Sequence, residues 1–228
     1  MEESKISSGS KLIDEMMNGG YEKEIVTTIY GPAGSGKTLL CQLAAISVAR
    51  EKKKVIYVDT EGSFSMERFK QIVPDYQKVL ENILFFRPTS FEEQKGVFEK
   101  LRNVINDKIG LIIVDTISML YRLEIGQTPD VYQINRDLGI QISYLSEIAR
   151  KMNIPVLITT QVYANFEERE GIKIVGGDLL KYGSKCLIEL QVLRNGNRVA
   201  ILRKHRSLPE SKQVIFAIIN EGIIPVKL

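Results

Sequence analysis

Residues 31–38 read Gly31-Pro32-Ala33-Gly34-Ser35-Gly36-Lys37-Thr38, and they follow the apolar run Ile25-Val26-Thr27-Thr28-Ile29-Tyr30. Between a buried strand and an opening helix, such glycines let backbone N–H groups fold into a nest around a β-phosphate, and the helix N-terminus adds positive potential. In that geometry Lys37 reaches the β and γ oxygens and the Thr38 hydroxyl ligates Mg²⁺. Leu39, Leu40, Leu43, Ala44, Ile46 and Ser47 continue at helical spacing, which predicts a helix with an apolar face.

A chain of 228 residues fits one domain, 1–228, and can bury around 70% of the surface its unfolded form exposes. No apolar run approaches the roughly 18 residues of a membrane helix, so a soluble protein is expected. The start, Met1-Glu2-Glu3-Ser4-Lys5, lacks the basic and apolar regions of a signal peptide, and Cys41 and Cys186 have neither metal nor redox spacing. Reduced thiols in the cytoplasm are the expectation. The net charge of +3 hides an asymmetry, because residues 172–228 hold 10 Lys/Arg against 4 Asp/Glu while the rest holds 21 against 24. A basic end of this kind either meets phosphate-bearing ligands or forms a solvated face.

Residues 5–20 predict a short lead-in helix capped by Ser10 and stopped at Gly19-Gly20. After the phosphate-loop helix comes a strand, Val55 to Val58, ending in Asp59-Thr60-Glu61-Gly62-Ser63-Phe64. Active-site groups of open parallel sheets gather at the carboxyl ends of strands, so Glu61 either orients an attacking water or caps the next helix. Asn82–Arg87 predicts a third strand, and Ser90–Ile105 a helix with Ser90 and Glu93 in capping-box positions. Gly110-Leu-Ile-Ile-Val-Asp115 is an apolar strand ending in a carboxylate, the Walker B pattern, in which Asp115 holds the Mg²⁺ shell with Thr38.

Tyr121–Val131 is polar with Gly126 and Pro129 and predicts a loop, followed by a helix over Arg136–Met152. The strand Pro155–Thr160 ends in Gln161, whose amide is placed to sense a γ-phosphate. A second polar segment, Tyr163–Val175, carries Glu167, Glu168 and Glu170, which would repel nucleic acid. The remainder is β-rich, with Asn195-Gly196 as a hairpin signal. Strands alternating with helices and then hairpins predict an α/β fold, a twisted mostly parallel sheet flanked by helices and extended by C-terminal antiparallel strands. If Lys204 and Arg206 share a strand they point to one face, as cationic fingers on a γ-phosphate in trans or as surface basics. The sole histidine, His205, shows no acid or nucleophile partner in the sequence and is expected to be structural.

In order along the chain, Ile6-Ser-Ser-Gly-Ser-Lys11, the phosphate loop, Tyr57-Val-Asp-Thr-Glu-Gly-Ser-Phe64, Ile112-Ile-Val-Asp115, Thr160-Gln-Val162, Gly176-Gly177 and Leu208-Pro-Glu210 resemble the RecA/RadA recombinase superfamily. Within it they are most similar to the short archaeal RadB branch. The resemblance covers nearly the whole chain and implies a RecA-like P-loop ATPase core using ATP and Mg²⁺. It matches Glu61 to a water-activating glutamate, Gln161 to a nucleotide-sensing amide, Arg68 to an arginine stacked on adenine and Pro209 to a cap over a neighbour's nucleotide. Lys204-His205-Arg206 replaces the acidic segment typical of the recombinases.

No N-terminal helical DNA-binding domain and no subunit-joining linker are recognisable. Arg122 is retained in the loop after Asp115, and Tyr121, Tyr132, Tyr163 and Phe166 are the candidate base-stacking aromatics. The implied function is an ATP-binding, DNA-binding protein of homologous recombination and DNA repair with a weak ATPase, partnering DNA, a RadA-type recombinase and repair enzymes. Alternatives sharing the motifs are a filament-forming DNA-dependent recombinase, a KaiC-like regulatory ATPase and a nucleotide-gated mediator that rarely hydrolyses ATP. The oligomeric state is not fixed by the sequence.

Overall fold

The structure, a computed structural model, describes residues 4–127, 129–165 and 171–226. In chain order, β1 (Lys5–Ile6), α1 (Lys11–Met16) and β2 (Tyr21–Glu22) precede the phosphate-loop strand β3 (Val26–Tyr30) and its helix α2 (Lys37–Arg50). Then come β4 (Lys54–Asp59), α3 (Met66–Ile72), α4 (Tyr76–Leu80), β5 (Ile83–Phe86) and α5 (Phe91–Val104). They are followed by β6 (Ile109–Asp115), α6 (Met119–Ile125), α7 (Val131–Met152) and β7 (Val156–Thr160). The hairpin β8 (Val162–Asn165) and β9 (Gly171–Ile174) leads to α8 (Gly177–Gly183) and to β10 (Cys186–Val192), β11 (Arg198–Lys204), β12 (Gln213–Ile219) and β13 (Gly222–Pro225).

Among the described residues nine strands form one sheet in the order β13-β12-β11-β10-β3-β7-β6-β4-β5. From β10 to β5 every pair is parallel, and β10 to β13 are antiparallel, the architecture expected from the sequence. Parallel neighbours need crossover connections, which the helices supply.

Side chains alternate across the sheet with a period of two, and the strands feed two separate cores. Val55, Tyr57, Leu111 and Ile113 pack with α1 to α4 on one face. Ile56, Val58, Ile112 and Val114 pack with α5 to α8 on the other. Leu39–Ala49 of α2 are buried apart from half-buried Ser47, so this helix is enclosed on nearly all sides rather than amphipathic. α1, α4 and the sheet surround it. Among the described residues no helix is long and apolar enough to cross a membrane. Cys41 and Cys186 are buried and free, and burial pushes the Cys186 thiol up to about 12.

Three further segments differ from the sequence expectation. The lead-in is a helix held within the antiparallel β1–β2 pair, and Ser10 makes no side-chain cap bond. Met119–Ile125 is helical because Leu120 and Tyr121 bury against the second core, and the turn signals take effect only after it, with Gly126 as the helix C-cap and Pro129 beyond it. α7 therefore starts at Val131, where the Asp130 side chain accepts from Gln133 N at 3.0 Å. The polar stretch after Gln161 contains the β8–β9 hairpin, a two-stranded sheet apart from the main one. Phe166, Glu167, Glu168 and Glu170 lie outside the described residues.

Candidate active site

Register places the site. Asp59 of β4 pairs with Asp115 of β6, and Tyr30 of β3 pairs with Thr160 of β7, so four strand ends open onto one row. β3 lies between β7 and β10, neither of them its neighbour in sequence, and such switch points are where open α/β sheets bind ligands.

In the phosphate loop Gly34 and Gly36 take φ of +71° and +102°, left-handed values that a Cβ would strain, and Gly36 is the N-cap of α2. Lys37 is buried, and its Nζ donates to the Gly31 and Pro32 carbonyls at 2.9 Å each. Burial lowers its pKa, opposed by the charges of Glu61 and Asp115.

Asp115 is fully buried and surrounded by hydroxyls. Its Oδ1 accepts from Thr159 Oγ1 at 2.5 Å, and its Oδ2 from Tyr57 OH at 2.9 Å and Ser63 Oγ at 3.3 Å. Ser63 Oγ is also 3.3 Å from Thr38 Oγ1. The donor set of Thr38, Ser63 and Asp115 is all oxygen, which suits a hard cation that keeps part of its water shell. Tyr57, Ser63 and Thr159 have no assigned role in the sequence reading: Tyr57 and Ser63 lie inside the Tyr57–Phe64 motif, and Thr159 is marked only by its place on β7.

The Glu61 Oε1 accepts from Gln161 Nε2 at 3.0 Å and from Thr116 Oγ1 at 3.2 Å. Glu61 does not cap the following helix: Ser65 does, accepting from Arg68 N at 3.2 Å. The Asp59 carboxylate fixes the intervening turn by accepting from Ser63 N and Phe64 N. Gln161 is tied in turn to the β8–β9 hairpin, since its carbonyl accepts from Val175 N at 3.0 Å.

A cleft of about 380 Å³ brings together Gly34, Lys37, Thr38, Glu61, Asp115 and Gln161, with Arg68 and Ile218 also in its lining. The Arg68 guanidinium donates to the Ile219 carbonyl and to Gln71 Oε1, which holds it between α3 and the β12–β13 turn. Pro209 is exposed and does not line this cleft.

Lys204 and Arg206 are not brought to the cleft either. Lys204 Nζ donates to the Lys181 and Ser184 carbonyls at 2.6 and 2.8 Å, closing the C-terminal end of α8. β11 ends at Lys204, so strand alternation does not govern Arg206, whose guanidinium pairs with Glu22 at 2.7 Å. His205 does have an acidic neighbour: its Nε2 is 3.6 Å from Glu22 Oε2, while its Nδ1 accepts from Ser207 N and Leu208 N. The β2 carboxylate is distant in sequence, which is why the chain order concealed it.

Among the aromatic candidates, Tyr121 is buried with its OH bonded to Asn135 Oδ1 at 2.6 Å. Tyr132 and Tyr163 are exposed.

A twisted parallel sheet with a phosphate loop, a strand-end aspartate and a facing glutamate and glutamine defines a P-loop ATPase core of the RecA type. The chain belongs to the Rad51 family, whose model matches residues 2–226. It is 41% identical over 221 residues to the DNA repair and recombination protein RadB of Methanobrevibacter smithii, covering 93% of this chain and 92% of that one. It is 42% identical over 214 residues to RadB of Methanocaldococcus jannaschii, covering 93% and 98%. A crystal structure of a RadB recombinase superimposes with a TM-score of 0.83 at 34% identity, covering 97% of this chain and 100% of that one.

Proposed function

We propose that the chain is an ATP- and DNA-binding protein of homologous recombination and DNA repair, one RecA-like core over residues 1–228. It hydrolyses ATP slowly to ADP and phosphate, exchanges no strands itself, and modulates a RadA-type recombinase or branched-DNA enzymes in the cytoplasm. The observation that carries the reading is the meeting of Lys37, Thr38, Asp115, Glu61 and Gln161 in one cleft.

In this reading the Gly31–Thr38 loop cradles the phosphates and Lys37 reaches their β and γ oxygens. Thr38 and Asp115 hold Mg²⁺, which supplies charge neutralisation at the phosphates. Glu61 orients the attacking water, Gln161 senses the γ-phosphate, Arg68 lies against the adenine and Pro209 caps a neighbour's nucleotide.

Slow turnover is supported by the cis contacts of Lys204 and Arg206, which engage both candidate fingers within their own chain rather than leaving them free for a neighbour's cleft. A finger in trans contributes roughly 10³ to 10⁵ in rate, so a site without one is slow. DNA binding draws on exposed Tyr132 and Tyr163 as stacking platforms and on exposed Arg122, Lys185 and Arg194 as phosphate contacts.

ATP turnover across a protein concentration series, with and without single-stranded DNA and with Lys37→Ala as background, tests the proposal. Slow turnover indifferent to both variables, and lost in Lys37→Ala, is expected. Steep concentration dependence with strong DNA stimulation would replace it with a filament-forming recombinase.

A further inference from the structure

Arg198 opens β11 beside the phosphate loop, and none of the roles above uses it. Topology explains the position. β10 runs parallel to β3 and β11 antiparallel to β10, so the start of β11 and the end of β3 share one edge of the sheet. Arg198 Nη2 donates to the Gly34 carbonyl at 3.2 Å and Nη1 to the Gly196 carbonyl. Its Nε is buried without a hydrogen-bond partner. The guanidinium thus bridges the β10–β11 turn and the middle of the phosphate loop.

The bridge matters because of how a nest works. Its N–H groups converge inward and its carbonyls point outward, and each peptide plane is rigid, so a carbonyl that swings takes the next amide with it. Lys37 holds the Gly31 and Pro32 carbonyls. Gly34 is left-handed and has open space around its Cβ position, so packing steadies the Gly34–Ser35 plane only on the side of the fully buried Ser35. A further restraint is Ser35 N donating to the Pro32 carbonyl at 3.3 Å.

We propose that Arg198 is a positioning residue for phosphate binding, fixing the Gly34–Ser35 peptide through the Gly34 carbonyl and adding a positive charge behind the nest. The assignment rests on the nucleotide-site reading above. Arginine suits the position because its planar fork spans two carbonyls, whereas a lysine ammonium keeps the charge but is a point donor on a flexible stem.

The test is calorimetric titration of ADP and AMP into the wild type, Arg198→Gln and Arg198→Lys, with thermal unfolding of each. AMP lacks the β-phosphate that the nest holds, so the ADP-to-AMP affinity ratio isolates the loop. Arg198→Gln should lower ADP affinity on the order of tenfold and leave AMP within about twofold, with Arg198→Lys between it and the wild type. An unchanged ADP affinity, or an equal loss for ADP and AMP, overturns the role of Arg198. Should Arg198→Gln fail to fold, a wild-type ratio in Arg198→Lys overturns it as well. A wild type that does not prefer ADP over AMP removes the nucleotide-site reading itself, and the role of Arg198 with it.

Discussion

Gln161 Nε2 donates to Glu61 Oε1 at 3.0 Å, joining the end of β7 to the turn after β4. One carboxylate thus accepts from a residue whose backbone is bonded to the β8–β9 segment, so a change at either partner is felt by the other. Glu61→Gln should slow ATP turnover by roughly 10² to 10⁴ while leaving ATP affinity nearly unchanged, the pattern of a lost general base. Single-turnover hydrolysis beside equilibrium ATP binding checks it. Equal losses in both would mean that Glu61 serves binding instead.

Tyr57→Phe removes one of the hydroxyls that orient Asp115. A buried hydrogen bond to a charged acceptor is worth about 1.5 to 3 kcal/mol, and loss of such a partner typically weakens metal affinity about 10- to 100-fold. The Mg²⁺ concentration needed for half-maximal ATP binding should rise within that range. A midpoint equal to that of the wild type would show that Thr159 and Ser63 suffice.

Arg206→Ala leaves the buried Glu22 carboxylate without its guanidinium. The expected loss is about 1 to 3 kcal/mol, discounted because Arg206 itself is half exposed. Urea unfolding measures it, and Glu22→Gln paired with Arg206→Ala in a double-mutant cycle isolates the pair. Full stability in Arg206→Ala would free this side chain for a role in trans.

His205 provides a pH prediction. Burial lowers its pKa, Glu22 opposes the shift, and Lys5, Arg206 and Lys212 add to it. The unfolded chain, with a value near 6.5, then takes up the proton first. Stability is therefore full above about pH 6.5 and falls as the pH drops through that value towards the folded one. His205 is the sole histidine, so the interval between about pH 7.5 and 5.5 reports largely on it. The urea midpoint of the wild type should drop across that interval and that of His205→Asn should drop less; parallel curves would sink the assignment.

Affinity for single-stranded DNA should fall with salt, but with a shallower slope than the basic C-terminal quarter implies. Arg203 pairs with Glu189 at 2.6 Å, Arg206 with Glu22, and Lys204 with two carbonyls, so these cations are not free for phosphates. Each phosphate contact contributes about 0.7 to the single-strand log–log slope. A slope matching all ten basic residues of 172–228 would show that the cis pairs open on DNA.

The sequence made the phosphate loop, the Walker B strand and the order of the main elements legible because each depends on local spacing and a period of two or 3.6. The hydroxyl shell around Asp115 was not legible: Tyr57 and Thr159 reach it only when β4, β6 and β7 lie side by side. Helix α6 was hidden for a related reason, since Gly126 and Pro129 are local turn signals and the burial of Leu120 and Tyr121 is not local. Glu22 was overlooked as a partner of His205 and Arg206 because ion pairs between remote segments leave no spacing to read.

The position of β3 has a further consequence for how the protein is made. Both strands that flank it arrive late, β7 at residue 156 and β10 at residue 186. At roughly 5 to 20 residues per second, the strand that carries the phosphate loop leaves the ribosome on the order of 6 to 25 s before the first of its neighbours begins to emerge. Throughout that interval Ile25-Val26-Thr27-Thr28-Ile29 is an unpaired apolar β segment. Newborn chains stalled before residue 156 should therefore depend on holdase chaperones, a dependence that vanishes once β10 has emerged.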